Sequence, residues 1–216
     1  MTAMRIAVLA SGGGSNLQAL LDHLATLGAT APGQVVWVGA SRADAGALAR
    51  ASAAGIASNV VTDFDVGDDL LADLAAARAD MVVLAGYLKR VPPAIVRAFH
   101  GCMLNVHPAL LPAFGGAGMY GERVHAAVIA SGARVTGVTV HFVNEEFDSG
   151  AIVAQWPVPV LEGDTPLVLA ARVLRAEHAL YPRCIAAVAA GTIILGTDGR
   201  AHGTPAELLP EFALPQ

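Results

Sequence analysis

The chain has 216 residues, 55% of them hydrophobic and 14% charged, which is enough to bury one substantial core. Its mean hydropathy of +0.56 raises the question of a membrane, yet no run reaches the ~18 apolar residues that a spanning helix needs. A formal charge of -5 leaves no basic stripe for nucleic acid and no polybasic membrane patch, so small molecules are the expected partners.

In chain order, Met4 to Ala10 is apolar but shorter than a secretory h-region and runs straight into glycines, so it reads as the first buried strand of a cytoplasmic protein, over Arg5 to Ser11. Gly12-Gly13-Gly14-Ser15-Asn16 then turns the chain into a helix that carries Leu17, Leu20, Leu21, Leu24 and Leu27 at helical spacing. Backbone N–H groups converging at that helix N-terminus suit a phosphate, although tight strand-helix packing would also call for such glycines. The dinucleotide fingerprint is excluded because Leu17 stands where its third glycine belongs, and the P-loop because no Gly-Lys-Ser/Thr follows.

Gln34 to Ala40 reads as a second strand, Ala43 to Ala54 as a helix, Ile56 to Thr62 as a third strand, Asp65 to Arg78 as a helix and Asp80 to Gly86 as a fourth strand. Apolar strands alternating with helices predict a mostly parallel α/β sheet covered on both faces, with ligands beyond the carboxyl ends of its strands. Gly12 to Asn16, Tyr87 to Val91 and the end of a fifth strand at Met103 to His107 then share one rim. On that fifth strand Asn105 and His107 are two apart and face the same way, before Pro108 ends it. An amide donor beside a titratable ring can polarise a carbonyl and move a proton, or be an incidental polar pair at a turn.

Ala113 to Gly121 is a glycine-rich loop able to close over a substrate, and Glu122 to Ala130 follows as a helix. Arg134 to Asn144 and Ala151 to Val160 are joined closely enough to form an antiparallel pair added to the sheet. Thr165 to Ala190 reads as a long helix that Pro182 should kink or interrupt. Thr192 to Arg200 suggests a small hairpin before a poorly ordered end. Cys102 and Cys184, the only cysteines, make neither a disulfide framework nor a zinc site and are expected to be buried hydrophobes. His141, inside a β-rich stretch, is expected to be structural.

Three segments taken together, Ser11-Gly12-Gly13-Gly14-Ser15-Asn16, Asn105-Val106-His107-Pro108 with Leu110-Leu111-Pro112, and Asp148-Ser149-Gly150, resemble the phosphoribosylglycinamide formyltransferases, folate-dependent enzymes of de novo purine synthesis. The likeness runs from about Arg5 to Gly191, and Ala176 to Pro182 narrows it from the wider formyltransferase fold to this branch. It implies a Rossmann-like, mostly parallel sheet with an antiparallel C-terminal β extension. It also implies one formyltransferase domain over 1–216, with a nucleotide-phosphate half (1–100), a catalytic and folate half (101–191) and a tail (192–216).

The reaction implied is direct transfer of a formyl group from 10-formyltetrahydrofolate to the amine of glycinamide ribonucleotide, with no metal, by a cytoplasmic monomer or homodimer. Carried over residue by residue, Asn105, His107 and Asp148 are catalytic; Asp148 read alone is an Asp suited to a turn. Gly14, Ser15 and Asn16 match the phosphate turn, and Glu177, otherwise a solvated helix position, matches the carboxylate that grips the ribose. Leu88, Lys89, Arg90 and Val91, with Val143, Asn144, Glu145, Glu146 and Phe147, match the segments around the folate, where Asn105 also belongs.

Three departures accompany the resemblance. An arginine common after the third strand is missing from the acidic stretch Phe64 to Asp69. The loop after Leu110-Leu111-Pro112 takes the Gly-Gly-x-Gly-Met-Tyr-Gly form of a longer variant. Leu174 replaces a glutamine often found near the phosphate, which leaves Arg175 as a source of charge there. The alternatives to this reading are a related formyltransferase acting on another amine and a nucleotide-binding module without catalysis, with Arg42 on a 2'-phosphate.

Overall fold

The computed structural model describes residues 2–210. In chain order these form β1 (Met4–Ala10), α1 (Ser15–Leu27), β2 (Gly33–Ala40), α2 (Gly46–Ala53), β3 (Ala57–Val60), α3 (Asp68–Ala76), β4 (Met81–Leu84) and α4 (Pro93–Ala98). There follow β5 (Met103–His107), α5 (Glu122–Ala130), β6 (Val135–Phe142), β7 (Ile152–Pro159), α6 (Pro166–Ala189) and the hairpin strands β8 (Ile194–Leu195) and β9 (Ala201–His202).

One seven-stranded sheet takes the order β3-β2-β1-β4-β5-β6-β7, and β8 pairs separately with β9. The strands from β3 to β5 run parallel, while β6 and β7 are antiparallel additions. This is the expected mostly parallel α/β sheet with its antiparallel extension. The chain leaves β1 towards β3 and then crosses back to β4 on the other side. The strand order therefore reverses between β1 and β4, and a crevice opens beyond their carboxyl ends.

Side chains alternate along the central strands and build a core on each face. Ile6, Val8 and Ala10 of β1, with Met81 and Val83 of β4, pack among Leu17 and Leu20 of α1 and Leu180, Tyr181 and Ile185 of α6. Ala7 and Leu9, with Val82 and Leu84, pack instead against Leu70 and Leu74 of α3 and Ile95 of α4. A third cluster joins Val124 and Val128 of α5 to Leu169 and Val173 of α6, under Ala109.

Several expectations change. β3 spans Ala57–Val60 and is mostly exposed, because it is the sheet's edge with a partner on one side only. α3 starts at Asp68 rather than Asp65, because the Asp63 carboxylate accepts the N–H groups of Val66, Gly67 and Asp68 and builds a separate turn first. α4, six residues long with Pro93 in its first turn, went unread because it is too short to show a period. Pro182 does not break α6, which runs unbroken from Pro166 to Ala189 with Tyr181, Pro182, Cys184 and Ile185 all buried. Packing on either side of the proline outweighs the one backbone bond it cannot make. Cys184 is buried as expected, but Cys102 is half-buried. The expected end of the tail, 211–216, lies outside the described residues. Among the described residues no helix is long and apolar enough to cross a membrane.

The buried Tyr181 hydroxyl donates to the carbonyls of Leu84 and Leu104, each at 3.0 Å, and so joins the ends of β4 and β5 to α6. Tyr181→Phe should lower unfolding free energy by about 1–2 kcal/mol, since it removes a buried donor from two carbonyls. Urea denaturation with an unchanged m-value checks this, and a loss near zero would mean that the hydroxyl does not tie the elements together.

Candidate active site

The carboxyl ends of the central strands open into one cleft of about 620 Å³. At one end Gly14 takes a left-handed conformation (φ 73°), and a Cβ there would come within 2.7 Å of the Ala47 Cα, so only glycine fits. The turn's carbonyls face outwards: Gly12 O accepts from Ala47 N–H at 3.2 Å, and Gly13 O accepts from Arg50 Nε at 2.8 Å. No side chain caps the start of α1, so the helix presents free N–H donors to the cleft. Buried Asn16 donates through Nδ2 to Glu177 Oε2 at 2.7 Å. Burial raises the Glu177 carboxyl above its ordinary value, and the Asn16 bond opposes this. Glu177 is thus an inward group of α6 and not a solvated helix position.

The centre of the cleft is set by the pairing of β5 with β6. That register puts Asn105 opposite His141 and His107 opposite Thr139. Asn105 Nδ2 lies 3.1 Å from His141 Nε2, while His141 Nδ1 lies 2.8 Å from the Phe142 carbonyl. A proton on Nδ1 of His141 satisfies both contacts: Nδ1–H donates to the carbonyl and Nε2 accepts from the amide. One hydrogen of the Asn105 amide remains for a ligand.

His107 is buried, with Nε2 2.8 Å from the Phe114 carbonyl and Nδ1 3.4 Å from Asp148 Oδ2. Asp148 has a left-handed backbone (φ 54°), accepts the Gly116 N–H at 2.9 Å, and holds its other oxygen 3.7 Å from His141 Nε2. Burial pushes the His107 imidazole below its ordinary pKa, and Asp148 and the Phe114 carbonyl resist that push without reversing it. For Asp148 burial acts upwards, but His141, His107 and the Gly116 N–H outweigh it and hold the carboxyl below its ordinary value. The pair at rest is a carboxylate beside a neutral ring. A carbonyl acceptor at Nε2 requires the ring's proton there, which leaves Nδ1 as the nitrogen that takes up a proton, facing the carboxylate.

The far end is formed by Leu88 to Val91 and Val143 to Phe147, all of which line the cleft. The two segments are tied together. Arg90 donates to the Glu145 carbonyl at 3.2 Å and lies 5.9 Å from the Phe147 ring centre, and Arg97 pairs with the Glu145 carboxylate at 3.0 Å. Lys89 Nζ sits 5.1 Å from the ring centre of Phe64.

Apart from Arg175, every residue expected in the site lines this one cleft. Sequence reasoning put Arg175 beside the phosphate, gave His141 no contacts in the site and missed two further residues. His141, expected to be structural, meets both Asn105 and Asp148, because the β5–β6 register is not visible in one sequence. Arg175 is exposed and outside the cleft, whose wall is formed by Leu174. His125 of α5 was missed; it is buried in the cleft wall, lowered in pKa by burial and by His107, and its Nδ1 has no partner among the described residues. Its only signal was a polar residue on the face of α5 shared with buried Val124 and Val128. Tyr87 was also missed as a polar group; burial raises its phenol to about 12, and its hydroxyl is unpartnered among the described residues. No group of three or more His, Cys, Asp or Glu is arranged to hold a metal ion among the described residues.

Residues 4–185 match the Formyl transferase family. The chain is 43% identical over 202 residues to the chloroplastic phosphoribosylglycinamide formyltransferase of Arabidopsis thaliana, covering 90% of this chain and 68% of the plant protein. It is 38% identical over 196 residues to the phosphoribosylglycinamide formyltransferase of Escherichia coli (strain K12), covering 88% and 89%. The crystal structure of phosphoribosylglycinamide formyltransferase from Anaplasma phagocytophilum superimposes with a TM-score of 0.86 at 33% identity, over 97% of this chain and 98% of that one.

Because the Asp148 carboxylate favours the protonated His107, Asp148→Asn should move the His107 titration further down, since the group lost is an opposing charge. NMR titration of the imidazole resonances checks the sign. A midpoint that stays put or rises would mean that the carboxylate does not act on that ring.

Proposed function

We infer the reaction from one premise: the chain belongs to the formyl transferase family, within its phosphoribosylglycinamide formyltransferase branch. It transfers the formyl group of 10-formyltetrahydrofolate to the amine of N1-(5-phosphoribosyl)glycinamide in the cytoplasm, yielding formylglycinamide ribonucleotide and tetrahydrofolate. The observation that carries this reading is the set Asn105, His107 and Asp148, with His107 buried and the other two half-buried, midway between a turn suited to phosphate and a cation-bearing end suited to an acidic folate.

The nucleotide's phosphate sits on the backbone of Gly14, Ser15 and Asn16, and Glu177 accepts from the ribose hydroxyls. The pterin lies against Leu88 to Val91 and Val143 to Phe147. The nucleotide therefore falls to the N-terminal half of the chain plus Glu177, and the cosubstrate lies mainly against the C-terminal half and the loop after β4.

The substrate nitrogen attacks the formyl carbon, the carbonyl oxygen takes up the negative charge, and the C–N10 bond breaks when the tetrahedral carbon collapses. Over the reaction the amine loses one proton and N10 gains one. Asn105 donates its remaining amide hydrogen to the oxyanion, and His141 keeps the amide from rotating away. His107, held neutral by burial, takes the proton at Nδ1 and returns it, while Asp148 stabilises the imidazolium between.

The direct test is purified protein with both substrates, following release of tetrahydrofolate by absorbance; no turnover with fresh substrates sinks the assignment. His107→Ala and Asp148→Asn should each lower kcat by about 10²–10⁴ with unchanged melting behaviour, the range for losing a positioned proton-transfer group. Rates near wild type in both would remove these residues from the mechanism.

A further inference from the structure

The turn after β1 carries one polar side chain that the reaction above does not use. Ser11 is 4% exposed and lies just before the Gly12–Asn16 turn, behind the cleft lining. Ala85 N–H donates to Leu9 O at 2.8 Å and Ser11 N–H to Gly86 O at 3.1 Å, so the β1–β4 bonding continues past both strands. Beyond Ser11 the carbonyls of Gly12 and Gly13 bond to α2 instead. The Ser11 hydroxyl supplies the missing acceptor and takes the Leu88 N–H at 2.8 Å. From the far side Ser41, just past β2, donates its own hydroxyl to Ser11 Oγ at 2.7 Å. One side chain is thus bonded to the first residue of the Leu88–Val91 segment and leads directly into the Gly12–Asn16 turn.

We propose that Ser11 is a positioning residue for the folate cosubstrate: its hydroxyl fixes the backbone of Leu88 to Val91 at the height in the cleft that the phosphate turn sets. This rests on the reading of Leu88–Val91 as cosubstrate-binding. Gly86 is left-handed (φ 69°) and Leu88 is half-exposed, so two bonds from Ser11, to Gly86 O and from Leu88 N–H, hold the exposed start of a segment whose other end, Val91, is anchored in the core. Without the hydroxyl the Leu88 N–H has no protein acceptor in place, and the segment must move to find one. Ser41 acts only through Ser11, by orienting its oxygen.

Steady-state kinetics with both substrates varied test this in the full chain. Ser11→Ala should raise KM for 10-formyltetrahydrofolate about tenfold, while kcat and the nucleotide KM stay within about twofold. A role in stability alone would lower the melting temperature and the active fraction and leave both KM values in place. Ser41→Ala should shift the same KM less, and the Ser11→Ala/Ser41→Ala double variant should match Ser11→Ala alone. The Kd for tetrahydrofolate, read by tryptophan fluorescence, should rise in parallel with the folate KM. An active wild type whose folate KM does not change in Ser11→Ala, or in which both KM values rise together, overturns the positioning role of Ser11 and spares the reaction. A wild type that neither turns over nor binds tetrahydrofolate overturns both. Should Ser11→Ala yield no soluble protein, Ser41→Ala decides, and an unmoved folate KM there counts against the proposal.

Discussion

The pairing of β5 with β6 is the constraint on which the rest of the site depends. β5 bonds to parallel β4 on one side and antiparallel β6 on the other, which places Asn105 opposite His141 and His107 opposite Thr139. Thr139 is fully buried; its hydroxyl donates to Ala109 O at 2.7 Å and accepts from Leu111 N–H and Gln155 Nε2 at 3.0 Å each. The turn that follows His107 is therefore held by the residue facing His107 across the ladder. A slip of one residue would turn each of these side chains to the opposite face of the sheet. The site is specified by hydrogen-bond register before any question of acidity arises.

That register also explains the electrostatics. Burying two imidazoles and a carboxylate is costly unless they satisfy one another. Here Phe114 O takes the His107 Nε2–H, Phe142 O takes the His141 Nδ1–H and the Gly116 N–H supports Asp148, while Asp148 Oδ2 faces the His107 nitrogen that takes up the proton. Backbone strain gathers at the same place. Among the described residues three non-glycine residues have a left-handed backbone, and two of them, Phe114 and Asp148, are the partners of His107. Such conformations cost of order 1–3 kcal/mol each and persist where neighbours over-determine them. The aim of an acceptor at each ring nitrogen is what offsets that cost here.

The parallel half of the sheet was legible in the sequence because uninterrupted apolar strands alternating with helices leave few other arrangements, and the glycine turn was legible because its spacing excluded the commoner motifs. Asn105 and His107 were legible as a pair on one strand face. What stayed hidden depends on contacts distant in sequence. His141 gave no sign of meeting Asn105, 36 positions away, and Glu177 stood out only through the family resemblance, since its inward bond to Asn16 depends on α6 packing against α1. Pro182 illustrates the opposite failure, a strong local signal overruled by packing on both sides of it. His125 lies between these cases, since a buried polar residue on an amphipathic helix is visible as an oddity and acquires meaning only when the helix is docked beside His107.

The departures from the family's usual residues follow the same division. Leu174 lines the cleft wall and Phe64 to Asp69 lie outside the lining, whereas Asn105, His107, His141 and Asp148 are interlocked at its centre and the loop after Pro112 reaches them through backbone groups alone, Phe114 O and Gly116 N–H. A residue at an end acts by adding area or charge, and a neighbour can substitute for it. Lys89 beside Phe64 puts a cation near the stretch that lacks the arginine, and Arg90 bound to Glu145 puts a second one on the same rim. A residue at the centre has two or more partners that each fix its proton or its rotamer, so no neighbour can take its place without breaking another contact.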